Sequence, residues 1–202
     1  MSEFVMSWEI EDSLDPSGEL AICGCDEAGR GPLAGPVCAA AVILPRGLVL
    51  EGLNDSKKLS EKKRERLFDL IKEEAVSYAI CMIEPDEIDR INILNASLLA
   101  MKRASEALSV APKRILIDGN TTRGFDDTAL AVVKGDARSP NIAAASVLAK
   151  VTRDRYMVQA DALYPGYGFA VHKGYPTKAH YEALRALGPS PIHRVTFLKK
   201  MH

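Results

Sequence analysis

The sequence predicts an α/β domain in which a mixed sheet carries helices on both faces and the C-terminal part is helical. Three observations predict it. Short apolar runs recur and stop at Gly-, Pro- or Asp-containing turns, helical patterns stand between them and then accumulate, and one long alanine-rich segment follows Pro140. The 202 residues, 47% hydrophobic and 26% charged, suffice for one main domain that buries about two thirds of its surface.

Taken in order, residues 1–19 read as a flexible acidic extension. They include Glu3, Glu9, Glu11, Asp12, Asp15 and Glu19, carry no lysine or arginine, and contain an Asp-Pro-Ser-Gly turn. Residues 20–202 then form a single domain. The runs 20–25 and 37–44, separated by a Gly/Pro-rich turn, read as a hairpin. Ser60 is a helix N-cap for KKRERLFDLIKEEA, where Leu67, Leu70 and Ile71 share a stripe. A strand over 76–83 precedes a helical region over 86–108, interrupted near its start by Asn92 and Asn95. Short strands over 114–117 and 130–133 stop at Asp-Gly-Asn and Lys-Gly-Asp. The alanine-rich helix runs from Pro140 to Pro165-Gly166, and a last helix runs from about 176 to Leu187. No further helix is expected in the final residues HRVTFLKKMH.

Three of these strand ends carry acids: Asp26-Glu27, Asp118 and Asp136. In an open α/β sheet such ends converge on one crevice. Carboxylates gathered there repel one another unless a cation lies among them, which is how a Mg²⁺ or Mn²⁺ site is built from hard oxygen ligands. Two such ions about 4 Å apart would hold a phosphodiester between them. Any one strand-end aspartate alone reads more readily as a turn or helix cap. The adjacent pair Asp26-Glu27 does not, because two acids after an apolar run cost stability without a countercharge.

Gly29-Arg30-Gly31 follows the pair at once. The glycines let backbone approach a ligand and the arginine offers a fork suited to phosphate, although a plain hairpin turn would also explain the glycines. No Walker loop or dinucleotide-binding glycine motif is present. The segment YPGYGFAVHKGYPT interleaves Tyr164, Tyr167, Phe169 and Tyr175 with His172 and Lys173, a mixture suited to a nucleic-acid groove, or alternatively to a packed loop whose rings serve the core. With a formal net charge of -1, any nucleic-acid contact needs a local patch. The basic helical part over 164–202 supplies one, with Lys173, Lys178, Arg185, Arg194, Lys199 and Lys200 against Glu182. Cys23, Cys25, Cys38 and Cys81 sit in apolar runs without metal-binding spacing and read as reduced core residues. No membrane span or signal peptide is visible, so a cytoplasmic location is expected, and the pattern shows no exposed apolar seam, so a monomer is expected.

The blocks DEAGRGPLAGPV, NDSKKLS, INILNAS, LIDGN, VVKGDARSPNIAAASVLAKVTRDR and YGFAVHKGYPT, in this order, resemble the signatures of bacterial ribonuclease HII from about residue 22 to 197. The resemblance implies a ribonuclease H-like fold and cleavage of the RNA strand of RNA/DNA hybrids. It also implies incision of duplex DNA at embedded ribonucleotides, leaving 3′-hydroxyl and 5′-phosphate ends. It implies Asp26, Glu27, Asp118 and Asp136 as catalytic carboxylates holding Mn²⁺ or Mg²⁺, Gly29, Arg30 and Gly31 as the sensor of the ribose 2′-OH, and Tyr175 as the ring that stacks on the sugar past the RNA-DNA junction. Lys57, Lys58 and Asn92 fall in family blocks as phosphate contacts, alongside Lys173. A glutamine-anchored, double-aromatic clamp-binding tail is absent, so no clamp partner is expected. Two other readings are a ribonuclease HIII, which typically carries lysine in place of Arg30 and a separate N-terminal domain, and a non-catalytic binding module of the same fold.

Overall fold

The computed structural model describes residues 6–54, 56 and 59–199. Five strands form one mixed sheet in the order β3-β2-β1-β4-β5: β1 (Ile22–Ala28), β2 (Val37–Ile43), β3 (Ser77–Ile83), β4 (Arg114–Asp118) and β5 (Ala129–Val132). The first three pair antiparallel, as the hairpin reading requires, while β4 and β5 add parallel on the other side of β1. Both faces are covered. Helix α2 (Glu61–Glu74) and helix α5 (Pro140–Leu163) pack on one face over Cys38, Ala40 and Val42. Helices α3 (Pro85–Ile91) and α4 (Ile93–Glu106) cover the other over Cys23, Cys25, Val37 and Ala39. All four cysteines are free thiols.

Ser60 caps α2 as expected, accepting from the Lys63 amide at 3.4 Å. The single helical region over 86–108 is two helices, because Asn92 adopts φ 66° between them and its Oδ1 caps the Asn95 amide at 3.1 Å. The first strand is longer than its apolar run. It carries Asp26, Glu27 and Ala28 opposite Ala40, Ala39 and Cys38, because pairing with β2 continues after the apolar residues end.

The alanine-rich helix α5 has no single apolar stripe. Buried residues from Ile142 through Ala149 occur on consecutive positions, as suits a helix enclosed by the sheet, α2 and the C-terminal segment. Its small side chains let it rest on β1 backbone. A Cβ at Gly24 would lie 2.2 Å from the Ile142 amide nitrogen and 2.3 Å from the Asn141 carbonyl carbon.

The described part of the extension read as flexible is docked on the domain. Helix α1 (Glu9–Leu14) packs Ile10 and Leu14 against Ile22, Leu116, Val132 and Ile142, and Trp8 donates through Nε1 to the Leu48 carbonyl at 3.2 Å. The physical reason is that its acids are not all solvated, since Glu11 is fully buried. The C-terminal part is helical, with α6 (Phe169–His172), α7 (Lys178–Leu187, capped by Thr177) and α8 (Val195–Leu198), a single turn in the residues expected to lack a helix. Among the described residues no helix is long and apolar enough to cross a membrane.

Replacing Gly24 with alanine forces α5 off the strand. Urea unfolding followed by circular dichroism should show a loss of about 1–3 kcal/mol, and an unchanged midpoint would mean that α5 does not rest on β1 backbone there.

Candidate active site

Two strand ends meet at the centre of the sheet. Cys25 pairs in parallel with Ile117, which makes Asp26 and Asp118, the next residue on each strand, neighbours at the C-terminal edge. Asp118 is the last residue of β4 and pairs with Val132 at the end of β5. Just beyond β5 a 3₁₀ turn, Gly135–Ala137, presents the buried Asp136, and the Gly135 amide donates to Asp118 Oδ1 at 2.7 Å. Asp26 is buried at 4% exposure, with the Ser146 hydroxyl of α5 near enough to favour its ionised form. Ser146 Oγ in turn lies 2.8 Å from Ser56 Oγ.

Burial, then the charges of Glu27 and Asp118, push the Asp26 carboxyl well above the usual carboxylate range. This is the electrostatic condition in which a bound divalent cation is favoured, and the donors are hard oxygens. The side chains do not form a finished cage, because among the described residues no group of three His, Cys, Asp or Glu side chains is closed round a point that could hold an ion. Asp26, Glu27 and Asp118 thus interact as neighbours, with Asp136 adjoining through Gly135.

The Gly29-Arg30-Gly31 segment opens a loop held from behind by two buried arginines. Arg194 donates to the carbonyls of Gly29 (2.6 Å), Arg30 (3.0 Å), Pro32 (2.9 Å) and Gly35 (3.0 Å). Arg153 donates to those of Ala34 (3.0 Å), Pro36 (2.9 Å) and Lys173 (3.0 Å). Burial first, and then the nearby Arg153 charge, push Arg194 down to about 9, which leaves it a charged donor at neutral pH. Gly29 is required twice over, with φ +99° and the position of a Cβ only 2.1 Å from Arg153 Nε. The loop carbonyls are thereby turned inward. The Arg30 side chain stays half exposed, with Nη1 3.5 Å from Glu27 Oε1.

Tyr175 lies beside this loop. A Cβ on Gly31 would sit 3.7 Å from Tyr175 Cε1, and the ring is 39% exposed. Lys150 Nζ and the Arg153 guanidinium each lie 5.9 Å from the ring centroid. Lys173 adopts φ 51° and its Nζ donates to the Ala170 carbonyl, which occupies it locally. Tyr167 and Phe169 follow the core reading: their rings stack at 5.2 Å within the C-terminal apolar cluster, where the half-buried Tyr164 also packs. Asn92 serves as a helix cap and is exposed, so its geometry needs no substrate contact. Lys57 and Lys58 lie outside the described residues.

The basic tract is less of a surface patch than its composition implies. Arg194, His180 and His193 are buried. His180 Nδ1 donates to the Tyr175 carbonyl at 3.0 Å and His193 Nδ1 accepts from the Ser190 amide at 2.8 Å, so His193 Nε2 donates to His180 Nε2 at 3.0 Å. Burial pushes both rings down, His193 to about 4, and keeps them neutral partners. Arg153, Ser146 and Lys150 were not singled out from the sequence. Their signal is polar residues spaced along one side of an otherwise alanine-rich helix.

Two outcomes follow from these charges. The folded Asp26 value lies above its ordinary 3.8, so its contribution to stability is present below that value and is lost as pH rises through the higher folded one. Scanning calorimetry should therefore show Mn²⁺ raising the melting temperature more at pH 8 than at pH 5, with the difference removed in Asp26→Asn; equal increments at both pH values would refute a cation at Asp26. Arg194→Lys keeps a charge but loses the fork, and should lower the unfolding free energy by about 2 kcal/mol or more, whereas a surface arginine would show almost no change.

Residues 23–200 match the family model for ribonuclease HII. A ribonuclease HII of Clostridioides difficile (strain 630) is 55% identical over 184 residues, 91% of this chain and 72% of that protein. The ribonuclease HII of Caldicellulosiruptor bescii is 50% identical over 201 residues, covering 100% of this chain and 98% of that one. Among solved structures, the ribonuclease H2 of Pyrococcus horikoshii OT3 superposes with a TM-score of 0.72 at 29% identity, over 88% of this chain and 93% of that one. The match to the family model over nearly the whole chain, and half or more identity to full-length members, establish that the chain belongs to the ribonuclease HII family.

Proposed function

We propose that this ribonuclease H cleaves the RNA strand of RNA/DNA hybrids and also incises duplex DNA on the 5′ side of embedded ribonucleotides, leaving 3′-hydroxyl and 5′-phosphate ends. Residues 20–202 act as one catalytic domain, with Asp26, Glu27, Asp118 and Asp136 as the ligands of two divalent cations, Mn²⁺ or Mg²⁺. The observation that carries this reading is the adjacency of a strand-end carboxylate pair to a loop whose carbonyls are bound from behind and to an exposed tyrosine.

Divalent cations bound there would supply an activated water and stabilise the leaving oxygen. The chain's own residues do the rest. Asp26 and Asp118 are held at fixed register by the sheet, and Asp118 is kept in orientation by the Gly135 amide. With the carbonyls of Gly29 and Arg30 fixed by Arg194, the Gly29-Arg30-Gly31 backbone is held in one orientation toward a ribose 2′-OH, the group that separates RNA from DNA. The Arg30 fork meets a phosphate. Tyr175 offers a ring to the adjoining sugar, and its closeness to Gly31 measures the ribose and the junction together. Substrates are thus RNA/DNA hybrid and ribonucleotide-containing duplex, which fits removal of ribonucleotides and primers from DNA. The reduced cysteines suit a cytoplasmic setting.

The test is incision of a duplex carrying one embedded ribonucleotide, with all-DNA duplex, EDTA and Asp118→Asn as controls. A metal-dependent nick 5′ of the ribonucleotide, absent from every control, is expected. Cleavage of long hybrids alone would point to a ribonuclease HIII-type specificity, and tight binding without cleavage of either would leave a binding module.

A further inference from the structure

The acidic extension contributes one side chain that the proposed chemistry does not use. Glu11 of α1 is fully buried, 128 residues away in sequence from the group it meets. Its Oε1 accepts from Ser139 Oγ at 2.6 Å and from Asn141 Nδ2 at 3.1 Å, while Oε2 is buried without a partner. Ser139 is the N-cap of the 24-residue helix α5, its Oγ also accepting from the Ile142 amide at 3.3 Å. Burial raises the Glu11 carboxyl above its ordinary range, and the hydrogen bonds from Ser139 and Asn141 oppose that rise.

From Ser139 the bonds lead directly into the site. The Ser139 amide donates to the Gly135 carbonyl at 2.9 Å, and the Gly135 amide donates to Asp118 Oδ1 at 2.7 Å, with Asp136 held in the turn between Gly135 and Ser139. Asn141 Oδ1 accepts from the Leu44 amide at 2.8 Å, just past the end of β2. Two turns beyond Ser139 on the same helix, the Ser146 hydroxyl lies near Asp26 and favours its ionised form. One carboxylate therefore pins the end of α5 whose position sets Asp136 on one side and Ser146 on the other.

We propose that Glu11 is a positioning residue for the carboxylate site, acting through Ser139 and Asn141 to fix the turn that carries Asp136 and the Gly135 amide bound to Asp118. The inference rests on the reading of Asp118 and Asp136 as metal ligands. It assigns to the extension a role in metal affinity and turnover, with no contact to the nucleic acid. Holding such groups in place is worth about 10–100-fold in metal affinity or rate at comparable sites.

The test compares Glu11→Ala, Glu11→Gln and Arg46→Ala in the full chain. Arg46 anchors the same extension through Asp12 at 2.8 Å and the Asp15 carbonyl at 2.9 Å, and reaches Glu11 through its charge alone. At a temperature where circular dichroism shows each variant folded, Glu11→Ala should weaken Mn²⁺ binding in titration calorimetry and lower kcat, each about tenfold, with KM for the ribonucleotide duplex unchanged. Glu11→Gln, which keeps the acceptor oxygen, should restore most of both. Arg46→Ala should lower the melting temperature and leave Mn²⁺ affinity and kcat as in the wild type. If Glu11→Ala fails to fold, Glu11→Asp, too short to reach both partners, should show the same pattern. Wild-type affinity and kcat in a folded Glu11→Ala, or Glu11→Asp if alanine does not fold, would overturn the proposal, and so would equal losses in Arg46→Ala. Wild-type turnover by Asp136→Asn would instead overturn the reading of the site beneath it.

Discussion

A Cβ at residue 24 would lie 2.2 Å from the backbone of Ile142, so at Gly24 helix α5 rests on β1 with no room for a side chain between them. That contact fixes the height and rotation of a helix along which the polar parts of the site are spaced. Ser139 at its start receives the turn bearing Asp136, Ser146 meets Asp26, and Arg153 reaches the loop after Gly29. A displacement of α5 would move all of these together, because cores are close-packed and transmit strain.

The second constraint is the burial of Arg153 and Arg194 behind the loop. An isolated buried charge is costly, and here seven carbonyl bonds from two guanidiniums offset that cost. The same bonds join distant segments. Leu33 donates to the Gly174 carbonyl, Gly35 to that of Ile192, and Arg194 to that of Leu33, so the loop is threaded between Tyr175 and the C-terminal turn. The neutral pair His180 and His193 packs beneath it and holds the Tyr175 carbonyl. Positive charge under the loop and negative charge at the strand ends give the site two poles, suited respectively to phosphate and to divalent cations.

Local chemistry made much of the fold legible. Ser60 caps its helix as its side chain and position predict, and the alternation of apolar runs with turn residues located the strands to within a few residues. The break at Asn92 was visible as an interruption, but the positive φ by which it splits the helix in two was not. The end of β1 was placed too early because hydrophobicity stops at Cys25, whereas the strand is ended by the limit of its pairing with β2.

By itself the sequence determined the α/β class, the positions of Asp26, Glu27, Asp118 and Asp136 at or just past the ends of strands, and the adjacency of Gly29-Arg30-Gly31 to the first two, since these are set by periodicity and by neighbours along the chain. Only the tertiary structure decided which charged residues are surface groups and which are internal supports. Arg194, His180, His193 and Glu11 look like parts of a basic tract and an acidic tail, and all four are buried. For Arg194 and Glu11 burial depends on partners more than a hundred residues away, the Gly29 carbonyl and the Ser139 hydroxyl, and no local pattern carries that information.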